Sequence, residues 1–312
     1  MTMNALRQDI IQSWMRKNQD FSFHQNDSER LRKIHERWDS TISNILLFFQ
    51  SSSSLSQDKD HLQNTSNKWI SNLISLHSHP DRHYHTMAHL EEMFGYIDLI
   101  VLYNSAERND SQNHKWSLLM TVTYLSVFFH DAIYDAKSGT NEEDSVNLFQ
   151  NFMKEFISMA ITATTSPTSS NSSTNSNDNC LLDKWPGTCI VERFIMATKT
   201  HDASHLPNNT DTDELFFLHL FLDADMSVLG KEPKAYDAYA SMIRREYIHV
   251  PHQVYCEKRS DILQSFLGDL EDETKSKSIY LSNDMKSALE TQAISNLRRE
   301  ISSLRSGIIP NS

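Results

Sequence analysis

Six glycines and seven prolines in 312 residues leave this chain with few ways to make a tight turn. Sandwiches and barrels need a turn every ~8–12 residues, usually built on Gly, Pro, Asn or Asp. Long helices are the natural alternative, and the apolar spacing agrees. Leu31, Ile34, Trp38, Ile42, Ile45, Leu46 and Phe49 recur every three or four positions, as do Leu90, Met93, Phe94, Ile97 and Val101. Residues 116–129 and 215–222 are apolar nearly all round, which predicts buried helices. Asn141, ahead of three acids, and Asn283 read as helix caps. Pro233 suits a first helical position. Ile262, Leu263, Phe266 and Leu267 form a further stripe. The expected class is all-α, with about eight to ten helices, no strand and no repeat.

The length suits one large domain or two modest ones. A 38% apolar share with 15 Phe, 10 Tyr and 5 Trp is enough for a core. Net charge is −12, so the chain gains little from a nucleic acid duplex or an anionic membrane. Cys180, Cys189 and Cys256 form no CxxC pair and read as reduced thiols of a cytoplasmic or nuclear protein. No signal-peptide core and no run of ~20 apolar residues is visible. Asn-x-Ser/Thr matches at Asn64, Asn171 and Asn208 read as chance.

Two tracts, 51–60 and 162–179, are dominated by Ser, Thr and Asn and bury too little to offset ordering entropy. They are expected to be disordered.

Polar groups placed at the ends of apolar segments carry the chemistry. His85 and His89 are four apart at the expected start of a helix, and so share a face there. His130 and Asp131 follow the most apolar helix. Asp223 and Asp225 follow the second. Charged groups seldom finish against such segments unless they are paired or bind metal. Two imidazoles and two carboxylates leave about two octahedral positions for water and substrate. Imidazole favours Mn, Fe, Co, Ni or Zn over Mg.

His…His-Asp…Asp on successive helices resembles the HD superfamily of metal-dependent phosphohydrolases. The segment Tyr84-His85-Thr86-Met87-Ala88-His89 is also similar to the YHNxxH segment of cyclic nucleotide phosphodiesterases in that superfamily. A subgroup of predicted HD phosphohydrolases matches further, with RxYHxxxH at 82–89, FHDxxYD at 129–135, NExxSA at 141–146, ATxxH at 197–201, DxDLxxLG at 223–230 and YxxYxxxIRxEY at 236–247. Val146 stands where the subgroup has a small Ala, and Ile294 where it often has Arg. The likeness covers about residues 68–304 and continues on both sides of the second Ser/Thr/Asn tract. That tract therefore reads as an insertion, over 158–184, within one HD-type helical domain of residues 66–306. Residues 1–65 read as an N-terminal helical extension with a Ser-rich loop.

The resemblance implies His89, His130, Asp131 and Asp225 as ligands of a divalent transition metal such as manganese. It implies His85 as the general acid, or else as a group that contacts substrate or orients a ligand. Asp131 would help position a metal-activated water. The substrate would be a phosphate ester or anhydride, nucleotides included. Glu142 would hold water or orient a ligand, or simply cap its helix. His201 would bind a second metal or a phosphate, or lie plainly on the surface. Arg82, Lys199, Arg244 and Arg259 are phosphate clamps or salt-bridge partners. His205 reads as loop, His219 as a core histidine, and Tyr236, Tyr239 and Tyr247 mostly as core. A di-iron oxygenase using His201 and His205, or a non-catalytic metal-stabilised nucleotide-binding module, are the rival readings. Oligomeric state is open.

Overall fold

The structure, a computed structural model, describes residues 9, 12–14, 27–49, 59–105, 110–162, 182–203, 206–207, 209–268 and 277–309. Among these residues every regular element is helical and there is no β-strand. In chain order they are α1 (Asp27–Phe49), α2 (Lys59–His77), α3 (Met87–Ser105), α4 (Asp110–Phe129), α5 (Asn141–Thr162), α6 (Thr188–Ala197), α7 (Thr212–Asp225), a 3-10 helix (Met226–Gly230), α8 (Pro233–Glu246), α9 (His252–Leu267) and α10 (Asn283–Arg305). Most of the two Ser/Thr/Asn tracts, with Cys180 and His205, lies outside the described residues. No described helix is long and apolar enough to cross a membrane.

Contacts divide the chain into two compact units. Unit I holds Pro80–Glu107 and His219–Ser312, and unit II holds Asp27–His79 and Arg108–Leu218.

Unit II is built on aromatic packing. The α1 spacing puts Ile34, Trp38, Ile42 and Ile45 on one buried stripe. The Trp38 ring meets Phe128 edge-on at 5.1 Å and Phe152 at 5.3 Å. A buried indole N–H needs an acceptor, and Ser66 Oγ of α2 provides it at 2.8 Å. Trp38 thus joins four helices, α1, α2, α4 and α5. The helix α2 runs through residue 65, so the expected extension and domain share an element. In α4, Thr121, Thr123 and Ser126 are buried, and their hydroxyls donate to carbonyls four residues back at 2.7–2.9 Å. Those bonds let polar residues sit in a core helix, which delivers His130 into the interior.

Unit I packs α9 and the 3-10 helix against α10. The buried stripe of α10 includes Met285, Leu289, Ala293, Leu297, Ile301 and Leu304. Gly230 is required by close approach, because a Cβ there would meet Leu289 Cβ at 2.5 Å. Pro233 occupies the first turn of α8, as expected. Two expectations need correction. Asn283 does not cap α10. Ser282 does, because its backbone is extended and its hydroxyl accepts from Met285 N–H. Ile262 is 53% exposed, because α9 turns Tyr255, Cys256, Ser260, Leu263 and Leu267 inward instead.

Candidate metal centre

The sequence-derived ligands form two pairs, one inside each unit. In unit I, His89 lies on the first turn of α3 and Asp225 is the last residue of α7. His89 Nε2 is 3.1 Å from Asp225 Oδ1, with the two side chains 2% and 14% exposed. Asp225 stands where α7 passes directly into the 3-10 helix.

The end of α7 is tied down through Asp223. Its Oδ1 accepts from Leu281 N–H and its Oδ2 from Ser282 N–H, each at 2.7 Å. Burial outweighs these donors and pushes the Asp223 carboxyl up to about 6.

In unit II, His130 and Asp131 occupy the turn that ends α4. His130 Nδ1 is 3.0 Å from the Val127 carbonyl. A carbonyl only accepts, so Nδ1 carries a proton, and in the neutral ring Nε2 then holds the lone pair. A ligating histidine is commonly oriented in this way. Nε2 stands 3.1 Å from Asp131 Oδ2, with His130 1% and Asp131 20% exposed.

The loop after this pair is closed by side chains that imitate backbone. Asn141 Oδ1 accepts from Asp135 N–H and its Nδ2 donates to Asp135 C=O, both at 3.0 Å. The fully buried Ser145 accepts from Ile133 N–H at 3.1 Å. Asn141 is therefore a loop clasp and not the expected cap. Its side chain is engaged with Asp135, six residues upstream.

His85 departs from expectation as well. The helix begins at Met87, so His85 precedes α3 and does not share a helix face with His89. This segment is bound by Glu246, the last residue of α8, whose side chain is fully buried. Glu246 Oε1 accepts from the N–H groups of His83, Tyr84 and His85 at 2.7, 2.8 and 3.2 Å. These bonds hold residues 83–85 in the segment that leads into α3. Glu246 Oε2 lies 2.6 Å from His85 Nδ1. Burial would raise the Glu246 carboxyl, but the His85 charge and the backbone donors prevail and bring it down to about 2. Tyr84 packs between the histidines, 5.1 Å from the His85 ring and 4.8 Å from the His89 ring. Arg82 is 8% exposed and donates to the His85 carbonyl at 3.3 Å.

Comparison with protein-family models, with curated proteins and with solved structures finds no match.

The other sequence candidates have partners in the protein itself. Lys199 pairs with Glu143 at 2.5 Å, stands 3.9 Å from Glu142, and donates to the Gly139 carbonyl at 3.1 Å. Arg244 donates to the carbonyls of Tyr247 and Val250 at 2.8 and 3.0 Å and stacks over Tyr255. Arg259 pairs with the buried Glu300 at 3.1 Å. Tyr236 and Tyr239 are buried, as a core reading expects. His201 ends the turn after α6 with φ of 50°, and its N–H reaches the Ala197 carbonyl at 2.8 Å. His219 is half-buried, and burial pushes its imidazole down.

Sequence reasoning assigned no role to Glu246, to Ser145 or to the bidentate grip of Asp223. Glu246 did carry a signal. It is an acid at a helix C-terminus, where the dipole opposes it.

Proposed function

We propose that this chain is a metal-dependent phosphohydrolase of HD type that cleaves phosphate esters or anhydrides, nucleotides among them. His89, His130, Asp131 and Asp225 are the proposed ligands of a divalent transition metal. The observation that carries the reading is the pairing of each histidine Nε2 with a carboxylate oxygen at 3.1 Å. The bond between His130 Nδ1 and the Val127 carbonyl adds to it, since in the neutral ring it leaves the Nε2 lone pair for a metal, beside Asp131. Neutral imidazole and carboxylate together suit Mn, Fe, Co, Ni or Zn.

The bound ion would supply Lewis acidity and bring a coordinated water toward ionisation near neutral pH. The chain's own groups supply the rest. Glu246 stabilises positive charge on His85 and holds its Nδ1–H. His85 Nε2 then hands a proton to the departing oxygen, as a general acid. Arg82, fixed on the His85 carbonyl, adds positive charge beside the acid. Tyr84, packed on both imidazoles, limits their rotation.

The test is a phosphate-release screen with Mn, Co, Ni, Fe, Zn and Mg, run on the purified chain and on Asp131→Ala. Metal-dependent release that Asp131→Ala abolishes supports the assignment. Release that persists in Asp131→Ala, or no release from any phosphate compound with any metal, removes it.

A further inference from the structure

Unit I contains a buried ion pair that the proposed chemistry does not use. Lys231 Nζ lies 2.5 Å from Glu92 Oε1, and the side chains are 2% and 5% exposed. Such a pair is a poor stabiliser, because desolvating two charges offsets most of their attraction. Apolar side chains of similar volume would serve the fold as well. Its value therefore lies in geometry.

Glu92 is three residues after His89 and so occupies the same face of α3. Tyr96, one turn beyond, hydrogen-bonds Ser227. A polar stripe of α3, His89-Glu92-Tyr96, thus meets Asp225, Lys231 and Ser227 in turn. The rest of α3 is chiefly apolar and buried through Leu90, Met93, Phe94, Ile97 and Ile100. The Glu92–Lys231 pair adds one specific polar attachment to this apolar packing. The far side of the pair is fixed in turn. Lys231 N–H reaches the Val228 carbonyl at 3.2 Å. Asn296 of α10 donates to the carbonyls of Leu229 and Lys231 at 2.9 and 2.7 Å.

We propose that the Glu92–Lys231 pair is a positioning device that sets the register of α3 against the end of α7, so that His89 and Asp225 meet. This rests on the metal-binding reading given above. The experiment combines Glu92→Leu with Lys231→Met in one chain. Manganese affinity is read by titration with electron paramagnetic resonance of free Mn²⁺, and stability by thermal unfolding. Affinity is expected to fall about 10–100-fold, as for other residues that orient ligands. The cooperative unfolding transition is expected to stay, at an unchanged or higher temperature. Wild-type affinity in the double variant would overturn the proposal. Loss of the cooperative transition would make the pair a stability element and overturn it as well. Absence of uptake of manganese and of Fe, Co, Ni and Zn alike by the wild type would overturn the functional reading and this inference together, whereas the first two results leave that reading standing.

Discussion

His85 Nδ1 lies 2.6 Å from Glu246 Oε2, while the other oxygen of that carboxylate gathers three consecutive backbone N–H groups. One acid thus shapes the entry to α3 and holds the candidate proton donor.

This arrangement has a pH signature. The Glu246 carboxyl falls from an ordinary 4.5 to about 2 in the folded chain. A depressed folded pKa adds stability above the unfolded value, and that stability is lost as pH falls through the folded value. Glu246→Gln should therefore cost on the order of 2–3 kcal/mol at neutral pH. The gap between wild type and variant should narrow between pH 4.5 and 2. Urea unfolding at a series of pH values reads it. A gap that stays constant over that range would mean that the charge is not what matters.

His85 should separate chemistry from metal binding. His85→Gln is expected to lower kcat about 10²–10⁴-fold while manganese content stays at the wild-type level. Loss of metal in this variant would instead make His85 a ligand.

Arg259 was one of four basic groups suited to a phosphate, but its partner is Glu300, which is only 2% exposed. Arg259→Met leaves that carboxylate buried without its cation, and should cost about 3–5 kcal/mol in urea unfolding. Replacing Glu300 by Leu in the same chain should recover most of the loss. A raised KM at unchanged stability would restore the phosphate-clamp reading.

Trp38 joins four helices of unit II through its ring contacts and the bond to Ser66. Trp38→Ala should cost about 3–5 kcal/mol, measured by chemical denaturation. A loss below about 1 kcal/mol would mean that α1 is only an appendage.

The helical class was legible because scarce Gly and Pro and an apolar period of 3–4 point the same way. The stripe of Ile34, Trp38, Ile42 and Ile45 is buried as its spacing requires. The pairing of His89 with Asp225 was legible from polar groups at the ends of apolar helices. What the sequence hid was long-range. Glu246 lies 161 residues from His85, and nothing local to either position names the other. The start of α3 at Met87 differs from the expected one, and the segment just ahead of it binds an acid that no local pattern reveals. Asn141 was misread in the same manner. An asparagine ahead of acids satisfies a cap pattern, yet its amide closes the loop at Asp135. The basic residues divide similarly, because composition makes them scarce but does not say which acid each will meet.

The most direct measurement is a manganese titration of the wild type beside His89→Ala and His130→Ala, one histidine from each unit. The expected result is one ion per wild-type chain, with each variant weakened beyond the ~10–100-fold of a merely supporting residue. Wild-type affinity retained in either variant would contradict the proposal that both histidines hold the same ion.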